Sequence, residues 1–336
     1  ESIPEVWEDW ERMKTQFNIT SMKWDLERYT SVEDFATALE GFDGVELMDY
    51  GDDISPIIPE EKVIGIHMRC PYHWLDFWNG DMERCIREYG SEKQVYENFG
   101  GTDRQALVDA FLQDWNRALL HQAEYAVYHI SDVTCMECLT GEYAHTDEEV
   151  IDAACELINQ ALPATAEGPW LLLENLWHPG LTFTRPEMTR RLLEGIHYPK
   201  TGFMLDTGHL MHTDLELNSQ EEAVSYIHRC LDQHGELCDH IRGIHLNQSL
   251  TGAYRKQLME NPPELSEDYS ERMEKIYTCV FRMDQHKPFT CAGVQELIKR
   301  IDPDYLTYEF ISNNREEHME LLRQQRQVLQ EREDVQ

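Results

Sequence analysis

Six short apolar runs each end in a side chain that can hold a metal ion or move a proton. They are Gly65-Ile66-His67, Val127-Tyr128-His129, Leu171-Leu172-Leu173-Glu174, Met204-Leu205-Asp206 (followed by Thr207-Gly208-His209), Gly243-Ile244-His245 and Thr307-Tyr308-Glu309. Placing an ionisable group directly behind an apolar run costs several kcal/mol unless the group is paired or coordinated. One such histidine is ordinarily a satisfied core residue. Six groups at equivalent places imply that carboxylates and imidazoles converge on one axis. That mixture suits Zn²⁺, Mn²⁺, Co²⁺ or Fe²⁺.

The runs themselves read as strands. Short segments rich in Val, Ile, Leu or Tyr and bounded by polar residues fall at Asn18–Trp24, Gly44–Met48, Val63–Met68, Ala126–Ser131, Trp170–Leu176, Gly202–Leu205, Ile241–Leu246 and Tyr305–Ile311. Helical patterns lie between them: 30–39, 103–121, 146–162, a segment opened by Arg185-Pro186-Glu187, 219–234, 268–283, 291–301 and 313–331. Thr146-Asp147-Glu148-Glu149 spells a capping box, and Pro186 suits a first turn. Alternating strands and helices without a break in composition predict a parallel sheet. Eight strands with helical crossovers close most economically into a (β/α)8 TIM barrel, which removes both sheet edges. No Gly-x-Gly-x-x-Gly follows the first strand, which counts against an open dinucleotide-binding sheet. One domain is expected over 1–336, with the barrel at about 17–331. Two stretches are longer than a barrel needs, 69–102 after strand three and 247–283 after strand seven. Long βα loops lie on the face that carries chemistry, so both are candidate lids.

Composition excludes whole classes of function. The chain has 336 residues, 41% of them hydrophobic, which excludes disorder over most of its length. Acidic residues outnumber basic ones 64 to 29, for a formal charge of −35. Such a surface repels nucleic acid and anionic lipid, whose binding depends on Lys and Arg neutralising phosphate. No segment approaches the ~20 apolar residues of a membrane span, and Glu1-Ser2-Ile3-Pro4 has no leader character. Nine scattered cysteines suit a reducing cytoplasm better than a disulfide framework. Cys135 and Cys138 form a lone CxxC, read as two ordinary thiols in preference to a zinc site.

Taken in order, several motifs resemble the xylose isomerase-like barrels, the superfamily shared by sugar isomerases and epimerases and by endonuclease IV-type apurinic-site nucleases. The carriers are Gly41-Phe42-Asp43-Gly44-Val45-Glu46-Leu47, the Glu174 strand, Leu205-Asp206-Thr207-Gly208-His209, Gly243-Ile244-His245-Leu246-Asn247, Asp284-Gln285-His286-Lys287-Pro288-Phe289 and Tyr308-Glu309. The resemblance spans about Phe17 to Ile311. It implies a four-ligand metal site at Glu174, Asp206, His245 and Glu309, as in the epimerases. The nuclease branch implies two more, one at His67, His129 and a bridging Glu174, the other at His209, Asp284 and His286. The last set requires an insertion, because about forty residues separate His245 from Asp284.

Two activities follow from that resemblance. In the first, a metal-dependent sugar or sugar-phosphate isomerase or epimerase, one Mn²⁺, Zn²⁺ or Co²⁺ stabilises an enediolate. Glu174 and Glu309 transfer the proton, and His209 contacts substrate. In the second, two or three zinc ions promote hydrolysis of a small phosphoester, not DNA. Sequence alone ranks the isomerase first and leaves a barrel that only binds a sugar or metal as a third reading. Arg69 and Arg255, with Arg185 and Lys256, are candidate contacts to a substrate phosphate, and Trp74 and Trp177 candidate contacts to a sugar face. Phe77 and Trp78 share that aromatic run. Glu46 is expected as a hydrogen-bonding partner within the barrel mouth, and His212 in the core or at the surface. The expected partner is a small sugar or polyol, with a homodimer implied by the resemblance.

Overall fold

The computed structural model describes residues 13–330. Eight parallel strands close into a barrel in chain order: β1 Lys14–Thr20, β2 Gly44–Met48, β3 Val63–His67, β4 Tyr125–His129, β5 Trp170–Glu174, β6 Thr201–Asp206, β7 Ile241–Leu246 and β8 Tyr305–Tyr308. β1 pairs with both β2 and β8, which completes the ring. The (β/α)8 barrel expected from the alternating pattern is the observed fold. The link from β2 to β3 carries only a 3-10 turn, Glu60–Lys62, where an α-helix is usual.

Period-two alternation divides each strand between two environments. Val45, Leu47, Ile66, Ala126, Tyr128, Leu171, Leu173, Phe203, Leu205, Ile244, Leu246, Leu306 and Tyr308 join the core shared with the surrounding helices. The intervening residues point inward. Deep in the barrel these are Tyr125, Val127, Leu172, Met204 and Tyr305, which form their own cluster. One step nearer the C-terminal end of each strand, the inward residue becomes polar or ionisable. The register sets His129 beside Glu174, Asp206 beside His245, and His245 beside Thr307. Paired residues in parallel strands share a face, so this register alone gathers the polar groups at one end of the barrel.

Local signals start the helices where the sequence places them. Thr146 and Glu149 form a reciprocal capping box on Asp147–Ala161, and Pro186 opens Pro186–Gly195. The other long helices are Gln105–Leu120, Gln220–His234, Tyr269–Met283, Gly293–Ile301 and Arg315–Gln330. The stretch after β3 folds into Leu75–Trp78, Met82–Tyr89 and Glu92–Phe99, and the stretch after β7 into Gly252–Glu260 and Tyr269–Met283. Positions 331–336 of the expected C-terminal helix lie outside the described residues.

Strand ends need correction. The first strand was expected at Asn18–Trp24 but runs Lys14–Thr20, and Lys23–Leu26 is a helical turn. Asp25 stops the strand by accepting hydrogen bonds from the Thr20 amide at 2.8 Å and its hydroxyl at 3.0 Å. β4, β5 and β8 also stop earlier than their apolar runs do. Ile130, Trp177 and Phe310 lie past the strand ends and are still buried, because the loops at the mouth have cores of their own. Cys135 and Cys138 sit on Cys135–Thr140, packed with Leu258, Ile276 and Cys279. Burial pushes the Cys138 thiol up to about 12, which disfavours the thiolate that zinc would need. Among the described residues, no helix is long and apolar enough to cross a membrane.

Candidate metal centre

Glu174 ends β5 at the centre of the mouth and is fully buried. Its Oε2 lies 3.2 Å from His67 Nε2 and 3.1 Å from His129 Nε2. Its Oε1 lies 3.1 Å from His209 Nδ1 and 3.3 Å from His245 Nδ1. His245 Nδ1 is also 3.4 Å from Glu309 Oε2 and 4.0 Å from Asp206 Oδ2. On the far side, Asp284 Oδ2 lies 3.3 Å from His209 Nε2 and 2.8 Å from His286 Nε2. Four donor groups result: Glu46, His67 and His245, which lies below the mouth, and the three that the resemblance implied, namely His67, His129 and Glu174; Glu174, Asp206, His245 and Glu309; and His209, Asp284 and His286. Within each group one ligand atom per residue lies within 4.8 Å of the others. The seven strand-end positions and the two, Asp284 and His286, that the resemblance added are therefore brought together.

These atoms fit a cation better than they fit one another. Both Glu174 oxygens, His129 Nε2 and His245 Nδ1 are buried with no hydrogen-bond partner, although charged neighbours stand little more than 3 Å away. Buried polar atoms are normally hydrogen-bonded. Here the donor and acceptor directions miss each other and converge on the space between, which is the arrangement ligands need around an ion. His and carboxylate donors suit zinc and its first-row neighbours. His129 is the most open of the four imidazole side chains around Glu174, at 27% exposure, although the Nε2 that faces Glu174 is itself buried.

Charge is balanced inside the cluster. Burial opposes ionisation of Glu174, yet the His129 and His245 imidazoles hold its carboxyl well below the usual range. Burial likewise opposes protonation of His245, but Glu309, Glu46 and Glu174 raise it well above an ordinary imidazole. Glu309 is pushed up to about 7 by burial, with His245 and His286 opposing.

The supporting residues explain the orientation. Glu46 ends its inward run beneath His245, 2.9 Å from Nε2, and so turns Nδ1 toward the cluster. Tyr125 Oη and Thr307 Oγ1 donate to the same carboxylate at 2.6 and 3.2 Å. Gly65 is required here, because a Cβ on it would strike the Tyr125 ring that reaches Glu46. Asn175 Oδ1 accepts the Asp206 amide at 2.9 Å, and Asn247 Nδ2 donates to Asp206 Oδ2 at 2.8 Å. The role of these two asparagines was missed in the sequence. Their signal was an amide directly following the end of β5 and of β7. His212 is in the core, with Nε2 3.3 Å from Asp284 Oδ1.

The wide spacing before Asp284 also has a local cause. Gln248 and Lys287 form an antiparallel bridge, with amide-to-carbonyl distances of 2.8 and 3.0 Å, that closes the excursion after β7. Ser249 Oγ then accepts the amides of Gln285 and His286 at 2.8 and 3.3 Å. His286 sits at φ 46°, a left-handed conformation uncommon for a side-chain-bearing residue, and its ring meets Asp284 from there.

The expected substrate contacts divide. Trp177 lines the centre, its ring 5.2 Å from His209 and 4.5 Å from His212. Arg255 is buried with its guanidinium 5.7 Å from the Trp177 ring. Trp74 does not face the centre. It is 2% exposed, and its indole N–H donates to the Ser131 carbonyl at 2.8 Å, so it serves packing between the β3 and β4 loops. Phe77 and Trp78 are buried alongside it. Arg69 is held by Asp114, with Nε 3.1 Å from both carboxylate oxygens. Arg185 is taken by Asp147, Glu148 and Glu187, and Lys256 pairs with Glu216.

The chain belongs to the xylose isomerase-like TIM barrel family, whose model matches residues 34–331. Among solved structures it resembles endonuclease IV from Thermus thermophilus, at 17% identity and a TM-score of 0.50 over 94% of this chain and 98% of that one. The structure of AsfvAP is similar at 12% identity and a TM-score of 0.51, again over 94% and 98%. An L-ribulose 3-epimerase aligns at 13% identity and a TM-score of 0.48, over 94% of each chain. Sequence comparison with curated proteins finds no match. At these identities the likeness to the first two establishes the fold alone.

Proposed function

We propose that this protein is a metal-dependent hydrolase of small phosphoesters, with up to three divalent cations, zinc first among them. The observation that carries the reading is the position of Glu174, both of whose carboxylate oxygens are shared among four imidazoles. A single-metal isomerase has no use for His67, His129, Asp284 and His286 as donors, yet all four are held at the centre. When bound, such cations supply Lewis acidity toward a phosphoryl oxygen and a water acidic enough to act as a nucleophile at neutral pH.

The chain's own residues do the rest. His67, His129 and Glu174 would hold one cation, Glu174, Asp206, His245 and Glu309 a second, and His209, Asp284 and His286 a third. Glu46 fixes the His245 ring, and Asn175 and Asn247 fix Asp206, so little reorganisation is needed when substrate arrives. Trp177, 8% exposed, covers one side of the centre. The charge of −35 argues for a small substrate and against a DNA backbone.

One observation favours the sugar isomerase or epimerase as a second reading. Glu174, Asp206, His245 and Glu309 form a complete four-ligand group by themselves, with two glutamates available for proton transfer. The deciding experiment is metal content of the purified protein, followed by a panel of phosphomonoesters, phosphodiesters and ketoses. Two or three zinc equivalents with phosphoester turnover support the proposal. One equivalent, with solvent deuterium entering a ketose and every phosphoester inert, refutes it.

A further inference from the structure

The geometry points to an oxyanion subsite, formed by Arg255, Trp177, Tyr143 and His178, that receives an anionic group of the substrate beside the His209–Asp284–His286 group. Arg255 lies on Gly252–Glu260, within the excursion after β7. It is 6% exposed, and among the described residues its guanidinium forms no ion pair within 4.0 Å; the Asp284 carboxylate acts on it only from beyond that distance. Acidic residues outnumber basic ones 64 to 29, so this isolation is against the odds of composition. Arg28, Arg69 and Arg117 are each held by an aspartate. Arginine keeps its proton in proteins, and a buried charge without a counter-charge costs several kcal/mol.

Arg272 is also buried without a carboxylate, and the contrast is informative. Its guanidinium donates to the carbonyls of Ser266, Glu267 and Glu88, so it clamps two segments of backbone and leaves only its Nε without a partner. Arg255 has one such carbonyl, that of His212 at 2.6 Å. The rest of its fork has no backbone carbonyl to clamp.

A second donor nearby also lacks an acceptor. Trp177 is 8% exposed, and its indole N–H is buried with no hydrogen-bond partner. Its ring lies between Arg255, at 5.7 Å, and His209, at 5.2 Å. Tyr143 Oη stands 3.2 Å from His178 Nδ1 and is the exposed edge of the group. An unpartnered indole N–H and a buried guanidinium without an ion pair therefore stand beside His209 and His212, both of which lie 3.3 Å from Asp284 oxygens. The ligand they fit is negative and rich in acceptor oxygens: a phosphate or a carboxylate, matched by the planar fork of arginine. The inference rests on the hydrolase reading for which anion arrives, since that reading makes it a phosphoryl group.

The test is calorimetric binding of inorganic phosphate, sulfate and acetate to the purified full-length chain. Wild type is compared with Arg255→Gln, Arg255→Lys and Trp177→Phe at equal metal content. Wild type binds an oxyanion, and Arg255→Gln weakens that binding roughly 10- to 100-fold, the loss of a charge-assisted hydrogen bond. Arg255→Lys, keeping the charge without the fork, falls between them. Tighter binding of phosphate than acetate assigns a phosphoryl group, and the reverse assigns a carboxylate. If Arg255→Gln does not fold, Arg255→Lys and Trp177→Phe decide by the same comparison. Unchanged oxyanion affinity in the folded variants overturns the subsite, as does absence of binding by wild type. Oxyanion binding without any phosphoester turnover would sink the hydrolase reading and leave the subsite standing. Phosphoester turnover with KM and kcat unchanged in Arg255→Gln would do the opposite.

Discussion

Replacing Glu174 by Gln keeps the size of the side chain and removes the charge shared by two of the three donor groups at the mouth. Its oxygens stand 3.1–3.3 Å from the ring nitrogens of His67, His129, His209 and His245. Disturbing a residue that merely orients a metal ligand typically lowers affinity by about 10- to 100-fold. Loss of a direct ligand shared by two groups should exceed that, at least ~100-fold per cation, or about 2.7 kcal/mol each. The His209, Asp284 and His286 group does not use Glu174 as a member. After exhaustive dialysis Glu174→Gln should therefore hold one cation where wild type holds three. Asp284→Asn should show the complementary pattern and hold two. Elemental analysis of both variants, with circular dichroism to establish folding, measures this directly. Full wild-type loading in Glu174→Gln, or equal losses in the two variants, would refute the shared-ligand reasoning.

Three further outcomes are expected. Glu46→Gln should weaken metal binding by about 10- to 100-fold while leaving the barrel folded, because it only releases the His245 ring; titration of the metal-depleted variant measures it. Trp74→Phe should destabilise the fold by about 1–3 kcal/mol, through the unpaired Ser131 carbonyl, with KM unchanged; denaturant unfolding and kinetics check both halves. His73 sits between Asp132 and Asp76, at 3.1 Å from each. Burial opposes its protonation, but the two aspartates raise it to about 10, against about 6.5 in the unfolded chain. Its stabilising contribution is complete below about pH 6.5 and is lost as pH rises through about 10. Urea midpoints should therefore fall more between pH 7 and 10 in wild type than in His73→Gln, and parallel losses would exclude the network as the cause.

Much of the architecture was legible because its signals are local. Thr146 and Glu149 cap their helix through contacts three residues apart, and Pro186 needs only its own ring to open the next one. The run Leu171-Leu172-Leu173-Glu174 announces both a buried strand and the charged residue at its end. The limits of β1, β4 and β8 were less legible, because apolar residues past the strand end can be buried by loops that periodicity does not describe. Trp74 and Arg69 were misplaced for the same reason: residue type marks them as fit for substrate, but Ser131 and Asp114 claim them first.

The sequence by itself determined the parallel barrel and most of the ionisable side chains at its mouth, though not the asparagines that orient Asp206. Both follow from the period of burial and from the polar residue that ends each apolar run. Only the tertiary structure decided what holds those side chains in the groups that the family resemblance implied. Glu174 bridges because the register of β4, β5 and β6 sets it among imidazoles from separate strands. Asp284 and His286 join because the Gln248–Lys287 bridge folds a long excursion back to its start. Arg255 is buried with no ion pair within 4.0 Å because the excursion after β7 carries Gly252–Glu260 against the His212 carbonyl and the Trp177 ring. Such choices depend on contacts between residues far apart in the chain, and no local pattern records them.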